Sequence, residues 1–324
     1  MLKDLKDLKD LKDLKDLKDL KESKTKRKIP KNQLNHYTGS EWAKASLSVQ
    51  KFEGPISSKR KEHGAAFPFR LAKHFVSTYT KQNDLVFDPF VGVGTTLESA
   101  ELLGRKSIGI DINKKFIKHA KAGPDAVDLK QLEGEKLPKK THKAKFVCDD
   151  SQNLLKHVKK ESVDLILTSP PYGNLLRLIR PNFADKMPFN DKKDKTKKIN
   201  KTVTNPSAYS EIKNDIGNLP YKDYLAKLEN IFNLTYQVAK KDSYAIWVVK
   251  DYRDMKNKIP YVPLHADLIK IAQKEKWILW DIVIWDQSER RPLVVLGYPS
   301  KNFYVNMGHS YILIFKKQES QSKA

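Results

Sequence analysis

Val163-Asp164-Leu165-Ile166-Leu167-Thr168-Ser169-Pro170-Pro171-Tyr172 is the stretch that decides the fold. An acid followed by an apolar run reads as a short strand of a parallel sheet, buried on both faces. Two consecutive prolines cannot donate backbone hydrogen bonds, and they end it. Thr168 to Tyr172 then fall just beyond the carboxyl end of a strand, where open α/β sheets place ligands. Ser169 offers a hydroxyl and Pro170 a carbonyl. Held rigidly side by side by the Pro170-Pro171 pair, these two acceptors can take both hydrogens of an exocyclic –NH2 group. Tyr172 adds an aromatic face on which a planar base can stack. Alone, S-P-P-Y reads as a strand followed by a turn; the sequence upstream changes that reading.

Upstream stands Leu85-Val86-Phe87-Asp88-Pro89-Phe90-Val91-Gly92-Val93-Gly94-Thr95-Thr96, an apolar strand, a glycine-punctuated turn and the start of a helix. Gly92 and Gly94 let backbone approach a ligand, and a helix beginning at Thr95-Thr96 offers free N–H groups. The helix ends near Gly104, and Ser107 to Asp111 reads as a second strand tipped by an acid. Asp111 follows Gly94 by 17 residues, close to where nucleotide-binding folds place a ribose-holding carboxylate. Glu98 stands near where the third glycine of G-x-G-x-x-G would be sought, and no P-loop lysine follows. Both facts argue against a dinucleotide dehydrogenase and an ATPase. A strand over Lys145 to Cys148 ends in Asp149 and Asp150, and a helix over 152–160 leads back to Val163. Strands alternating with helices predict a mostly parallel, doubly wound sheet.

Composition narrows the partners. The 324 residues suffice for a sizeable core. No apolar run approaches the roughly 20 residues of a membrane span, and the charged N-terminus is not expected to be a secretory signal. Cys148, the one cysteine, allows no intramolecular disulfide, suits the cytoplasm and is expected as buried filler. No metal site is expected. A net charge of +23 predicts attraction to a polyanion, with nucleic acid first. Only nine of the 62 basic residues are Arg, and lysine richness of that kind also follows from an AT-rich genome.

Residues 2–20 repeat Leu-Lys-Asp six times. A period of three drifts about 60° per repeat on a 3.6-residue helix, so the leucines spiral and form no seam. Residues 1–33 are read as a charged low-complexity arm with a basic tail. A turn at Thr38 opens a short helix, and Pro68 suits the first turn of a helix carrying Leu71, Phe75 and Val76 on one face. Residues 34–172 form the first half of the main domain. The basic stretch 173–219, with Arg177 and Arg180, is expected to be an insertion that contacts the target. In the second half, 220–316, helices are predicted at Tyr221 to Lys240 and Leu264 to Lys274. Strands are predicted at Tyr244 to Val249, Ile278 to Trp285 and Tyr311 to Phe315. The loop 286–309 carries Arg290, Arg291 and Tyr298, residue types suited to phosphate and base-edge contacts. Residues 317–324 are a tail.

F-D-P-F-V-G-V-G-T-T followed by D-x-x-x-T-S-P-P-Y resembles the S-adenosylmethionine-dependent DNA amino-methyltransferases, which methylate cytosine N4 or adenine N6. The resemblance covers roughly 40–316. It implies a Rossmann-like methyltransferase fold with helices on both sheet faces and target-recognition insertions. It also implies S-adenosyl-L-methionine as cofactor, double-stranded DNA as partner, and a setting beside a cognate restriction endonuclease or in epigenetic marking. By resemblance, Asp88, Pro89, Phe90, Gly92, Gly94, Thr95 and Thr96 form the cofactor loop. Asp111, with Ile112, holds the ribose. Asp150 is the better candidate for the adenine amine, with Asp149 its neighbour, and Phe67-Pro68 lies against the methionine end. Ser169, Pro170, Pro171 and Tyr172 form the catalytic motif. The family most often carries Ser at the first of these positions for cytosine N4 and Asp for adenine N6, so cytosine N4 is expected. Adenine N6, an RNA amine and a non-catalytic DNA-binding subunit are the alternatives. A protein-glutamine methyltransferase is expected to carry Asn at 169.

Overall fold

The computed structural model describes residues 32–63, 66–134, 138, 142–172, 212, 215–254, 257–289, 301 and 303–318. The chain divides into two compact units, Met1–Gln33 and Leu34–Ala324, and every described element lies in the second. The first half carries α1 (Gly39–Ala45), β1 (Val49–Gln50), α2 (Ser58–His63), α3 (Phe69–Tyr79), β2 (Leu85–Asp88), α4 (Thr95–Leu102) and β3 (Lys106–Asp111). There follow α5 (Lys114–Ala120), α6 (Ala126–Lys130), β4 (Lys145–Cys148), a 3-10 turn (Ser151–Lys156) and β5 (Val163–Thr168). After a second 3-10 turn (Ile216–Asn218) come α7 (Tyr221–Val238), β6 (Ala239–Val249), β7 (Tyr252–Asp254), β8 (Ile259–Val262), α8 (Leu264–Lys274), β9 (Ile278–Asp286) and β10 (His309–Lys316).

One eight-stranded sheet runs β1-β9-β10-β6-β5-β2-β3-β4. Strands β2 to β6 pair in parallel, while β10 is antiparallel to both β6 and β9. The chain winds outward through β2, β3 and β4, then returns to place β5 against the other edge of β2. That reversal is the topological switch point at which open α/β sheets open a crevice. This is the expected Rossmann-like methyltransferase fold.

Side chains alternate across the sheet, as a strand buried on both faces requires. Ile166 of β5, Phe87 of β2 and Trp247 of β6 face one core, filled by α7 and α8. Leu165 and Leu167, Val86 and Ile246 face the other, filled by α3. In the first core Phe232 stacks on Trp247 with centroids 4.0 Å apart. Pro68, read as belonging to the first turn of a helix, sits at the N-cap of α3, and Pro220 takes the same place before α7. Thr38 and Glu41 form a capping box on α1.

Three expectations change. The segment read as a helix over 152–160 is a short 3-10 helix over Ser151–Lys156, N-capped by Asp150, with Asp149 holding Asn153 and His157 beside it. Cys148 is exposed, not buried: it ends β4, the outermost strand, which has a partner on one side only. The β7–β8 hairpin, α2, α5 and α6 were not read from the sequence, being short and without a clear apolar period.

Candidate active site

The switch point places the ends of β2, β3, β4 and β5 around one cleft. At its centre, Asp88 is almost fully buried and accepts three hydrogen bonds. Its Oδ1 takes the Phe90 N–H at 2.9 Å and the Thr168 hydroxyl at 2.6 Å, and its Oδ2 takes the Thr96 hydroxyl at 2.7 Å. One carboxylate thus ties the glycine loop, the start of α4 and the tip of β5 across the switch point. Burial pushes its pKa up to about 6, against the pull of the donors from Thr168, Thr96 and Phe90.

Gly92 and Gly94 have φ of +50° and +93°, a region side chains rarely adopt. A Cβ on Gly92 would lie 2.8 Å from His63 Nε2, and one on Gly94 would lie 3.0 Å from the Ala120 Cβ. Thr95 and Thr96 open α4, whose Glu98 points backward into a buried ion cluster with Lys59 and Arg60. Arg60 also reaches Asp128 of α6 and donates to Thr95 Oγ1 at 2.9 Å. Glu98, at the position sought for a third glycine, is therefore a fastener between α4 and α2. Its pKa is pushed up to about 7 by burial, which outweighs the two cations.

Asp111 ends β3. Its two oxygens accept the Gly92 N–H at 2.9 Å and the Asn113 N–H at 2.8 Å, and it lines the cleft. Burial raises its pKa to about 7, with Asp215 and Asp88 adding repulsion. Asp149 and Asp150 have opposite fates. Asp149 takes the Asn153 amide at 2.9 Å and pairs with His157 Nε2 at 2.6 Å; that contact, first, brings its pKa down to about 2. Asp150 caps the following turn by accepting the Gln152 N–H at 2.9 Å and faces the cleft. Pro89 accepts the Ser151 hydroxyl, fixing that turn to the loop.

The main chamber encloses about 630 Å³, its open mouth included. Phe90, Ile112, Phe116, Pro170, Pro171 and Ile216 supply apolar walls, and Asp111, Asp150, Asp215 and Ser169 supply acceptors. A smaller chamber of about 310 Å³ lies against Phe67, Asp88, Gly92, Thr95 and Thr96. Pro68, buried, is the N-cap of α3 directly after Phe67. Ser169 borders both chambers, and its hydroxyl lies 3.1 Å from that of Tyr172. Tyr172 is half-buried against the core with its hydroxyl 3.4 Å from the Val248 carbonyl, and it is not a wall of either chamber.

Sequence reasoning missed His63, Asn113, Phe116, Asp215 and Ile216 as cleft walls. His63 stands four residues before Phe67, in a stretch of which the sequence marked out only Phe67-Pro68. Asp215 and Ile216 close the span read as a target-contacting insertion, yet they pack into the cleft and core. Arg177, Arg180, Arg290, Arg291 and Tyr298 lie outside the described residues.

The model of the family described as DNA methylase, N6_N4_Mtase, matches residues 5–122 and 163–324, and the chain belongs to that family. The match begins within the repeat arm, earlier than the residues that carried the resemblance, and leaves out 123–162 with Asp149 and Asp150. Among relatives, the chain is 44% identical over 55 residues to the orphan methyltransferase M.BamHII of Bacillus amyloliquefaciens, covering 17% of this chain and 21% of that one. It is 34% identical over 91 residues to the type II methyltransferase M2.DpnII of Streptococcus pneumoniae, covering 28% and 30%. A tRNA (guanine(10)-N2)-dimethyltransferase of Methanocaldococcus jannaschii is 35% identical over 107 residues, covering 32% and 28%. These matches span less than a third of each relative's own length. Among solved structures, a SAM-dependent methyltransferase from Methanosarcina mazei superposes with a TM-score of 0.42 at 13% identity, covering 75% of this chain and 97% of that one.

The cofactor of this class is S-adenosyl-L-methionine, and the residues present fit it. The glycine cradle that a Cβ would fill, three cleft carboxylates for a cationic ligand carrying hydroxyls and an amine, and apolar walls for a planar base are all in place.

Proposed function

We propose that this chain methylates the exocyclic N4 amine of cytosine in double-stranded DNA. The observation that carries the reading is the position of Ser169 at the carboxyl end of β5, bordering both chambers. When bound, S-adenosylmethionine supplies an electrophilic methyl on a sulfonium. The protein's work is then positioning. Asp111 takes the ribose hydroxyls, Asp150 the adenine amine, and the Ser169 hydroxyl with the Pro170 carbonyl takes the two hydrogens of the target amine. These contacts aim the amine lone pair, so catalysis is orientation and electrostatics without a covalent nucleophile. The target base flips out of the duplex to reach the cleft, and Tyr172, which walls neither chamber, steadies the Ser169 hydroxyl through its own instead of stacking the base. Lysine-rich surface draws in the duplex, with Arg177, Arg180, Arg290, Arg291 and Tyr298 as its proposed contacts. A cytoplasmic setting beside a cognate restriction endonuclease completes the proposal. Ser at 169 is what favours N4 over adenine N6.

A second reading, an amine on RNA, is favoured by the likeness to the tRNA guanine-N2 enzyme. One experiment separates them. The protein is incubated with S-adenosylmethionine and either mixed-sequence duplex DNA or total tRNA, and nucleosides are analysed by mass spectrometry. N4-methylcytosine from DNA supports the proposal. N6-methyladenine moves the target base, and methylated tRNA guanine with unmodified DNA overturns the DNA reading. DNA affinity is also expected to fall steeply with salt.

A further inference from the structure

Only three residues border both chambers of the cleft: His63, Phe90 and Ser169, among the described residues. The larger chamber holds Asp111 and Asp150, the acceptors suited to an adenosyl group. The smaller runs along the glycine loop to Phe67. The sulfur of S-adenosylmethionine is the atom joining its adenosyl and amino-acid parts, so a ligand filling both chambers sets its sulfur at their junction. Ser169 is there, as methyl transfer requires. His63 is there with no role so far.

Packing alone does not account for His63. Its ring tilts over Phe116 with centroids 4.4 Å apart, and its Nε2 presses on Gly92 so closely that any side chain at 92 would collide. Its Nδ1 is buried and has no hydrogen-bond partner among the described residues. Buried polar atoms in native proteins are nearly always satisfied, by protein, water or ligand. Burial also holds the imidazole pKa down at about 4, so the ring is neutral at physiological pH and its unprotonated nitrogen presents a lone pair.

We propose that His63 sets the preference for cofactor charge: its imidazole lies against the sulfonium and favours S-adenosylmethionine over the product, S-adenosylhomocysteine, whose sulfur is an uncharged thioether. This rests on the cofactor assignment above. The functional consequence is product release, because the attraction disappears once the methyl and the positive charge have left the sulfur. A protonated or absent imidazole removes the discrimination without removing the site.

The test is calorimetric binding of both ligands at pH 7.5 to the wild-type chain, His63→Leu and His63→Gln. Loss of a contact to a charged group is expected to weaken S-adenosylmethionine about tenfold in His63→Leu while leaving S-adenosylhomocysteine within about threefold. His63→Gln, which keeps an acceptor oxygen, should recover part of the difference. In wild-type protein labelled with 15N-histidine, the His63 nitrogen resonance should move with S-adenosylmethionine and stay nearly fixed with S-adenosylhomocysteine. Retained binding of the uncharged ligand shows that a variant is folded. Equal weakening of both ligands, or of neither, overturns the role given to His63. Binding of neither ligand by the wild-type chain overturns the cofactor assignment itself.

Discussion

Asp88 and Asp111 close neighbouring parallel strands and share one local signature, an apolar run ending in an acid. Asp88 is consumed by the protein: two hydroxyls and a backbone N–H surround it, and they come from three different elements. Among the described residues Asp111 accepts two backbone N–H groups from its own rim, and it lines the cleft. One acid ties three segments of the site together, and the other lines the cleft, where we propose it meets the ligand. Loss of cofactor binding on mutation therefore carries different meanings at the two positions.

The largest effect is expected behind Asp88, where α2 is fastened to α4. Arg60→Ala strips Glu98 and Asp128 of a buried cation and should cost about 3–5 kcal/mol in denaturant unfolding. A loss under 1 kcal/mol would mean that Lys59 alone neutralises the cluster. Next comes Asp88→Ala, which leaves three buried donors without their acceptor, a loss of about 3 kcal/mol at roughly 1 kcal/mol each. Asp111→Asn removes a buried charge, so at neutral pH it should leave the ligand-free chain at least as stable as wild type, yet weaken S-adenosylhomocysteine binding at least about tenfold. Should Asp111→Asn unfold as readily as Asp88→Ala, the contrast between scaffold acid and ligand acid collapses.

Ser169 tests the contrast from the catalytic side. Ser169→Ala is expected to lower single-turnover methylation about 100-fold, the scale set by removing one positioned polar group. Cofactor affinity should stay close to wild type, since the hydroxyl acts on the target amine. A matching fall in affinity would place Ser169 with Asp111, among the cofactor contacts.

The cofactor side was legible because its signals are local. A strand, a G-x-G turn, a helix start and an acid-tipped strand follow one another within about thirty residues, and each has a physical reason to stand there. The same local logic gave Pro68 as a helix start and the end of β5 at the double proline. What escaped was non-local. No pattern around Glu98 announces that Lys59 and Arg60, nearly forty positions earlier, neutralise it. Asp215 and Ile216 lie more than forty residues beyond the catalytic motif, and only the returning chain puts them opposite Asp111. Asp149 and Asp150 were ranked by resemblance, and their division of labour depends on where His157 lands after an irregular turn.

The smallest effect, a dependence on pH, follows from the environment of Asp111. Burial, then repulsion from Asp215 and Asp88, raises its pKa to about 7 in the folded chain, well above the ordinary carboxyl value of 3.8. A carboxyl raised in this way contributes stability that is fully present below the unfolded pKa and is lost as pH rises through the folded one. The ligand-free protein should therefore melt at falling temperature between pH 4 and 8. Cofactor binding should run in the opposite direction, because a cationic ligand favours the ionised carboxylate. Affinity for S-adenosylmethionine is expected to rise about tenfold from pH 6 to 8, with proton release visible as a dependence of the calorimetric heat on buffer. Asp88 and Glu98 also titrate near this range, so the control is Asp111→Asn. If the affinity slope survives that substitution, the proton belongs to the scaffold acids. If it vanishes while part of the melting slope remains, the two acids are separated as their hydrogen bonds imply.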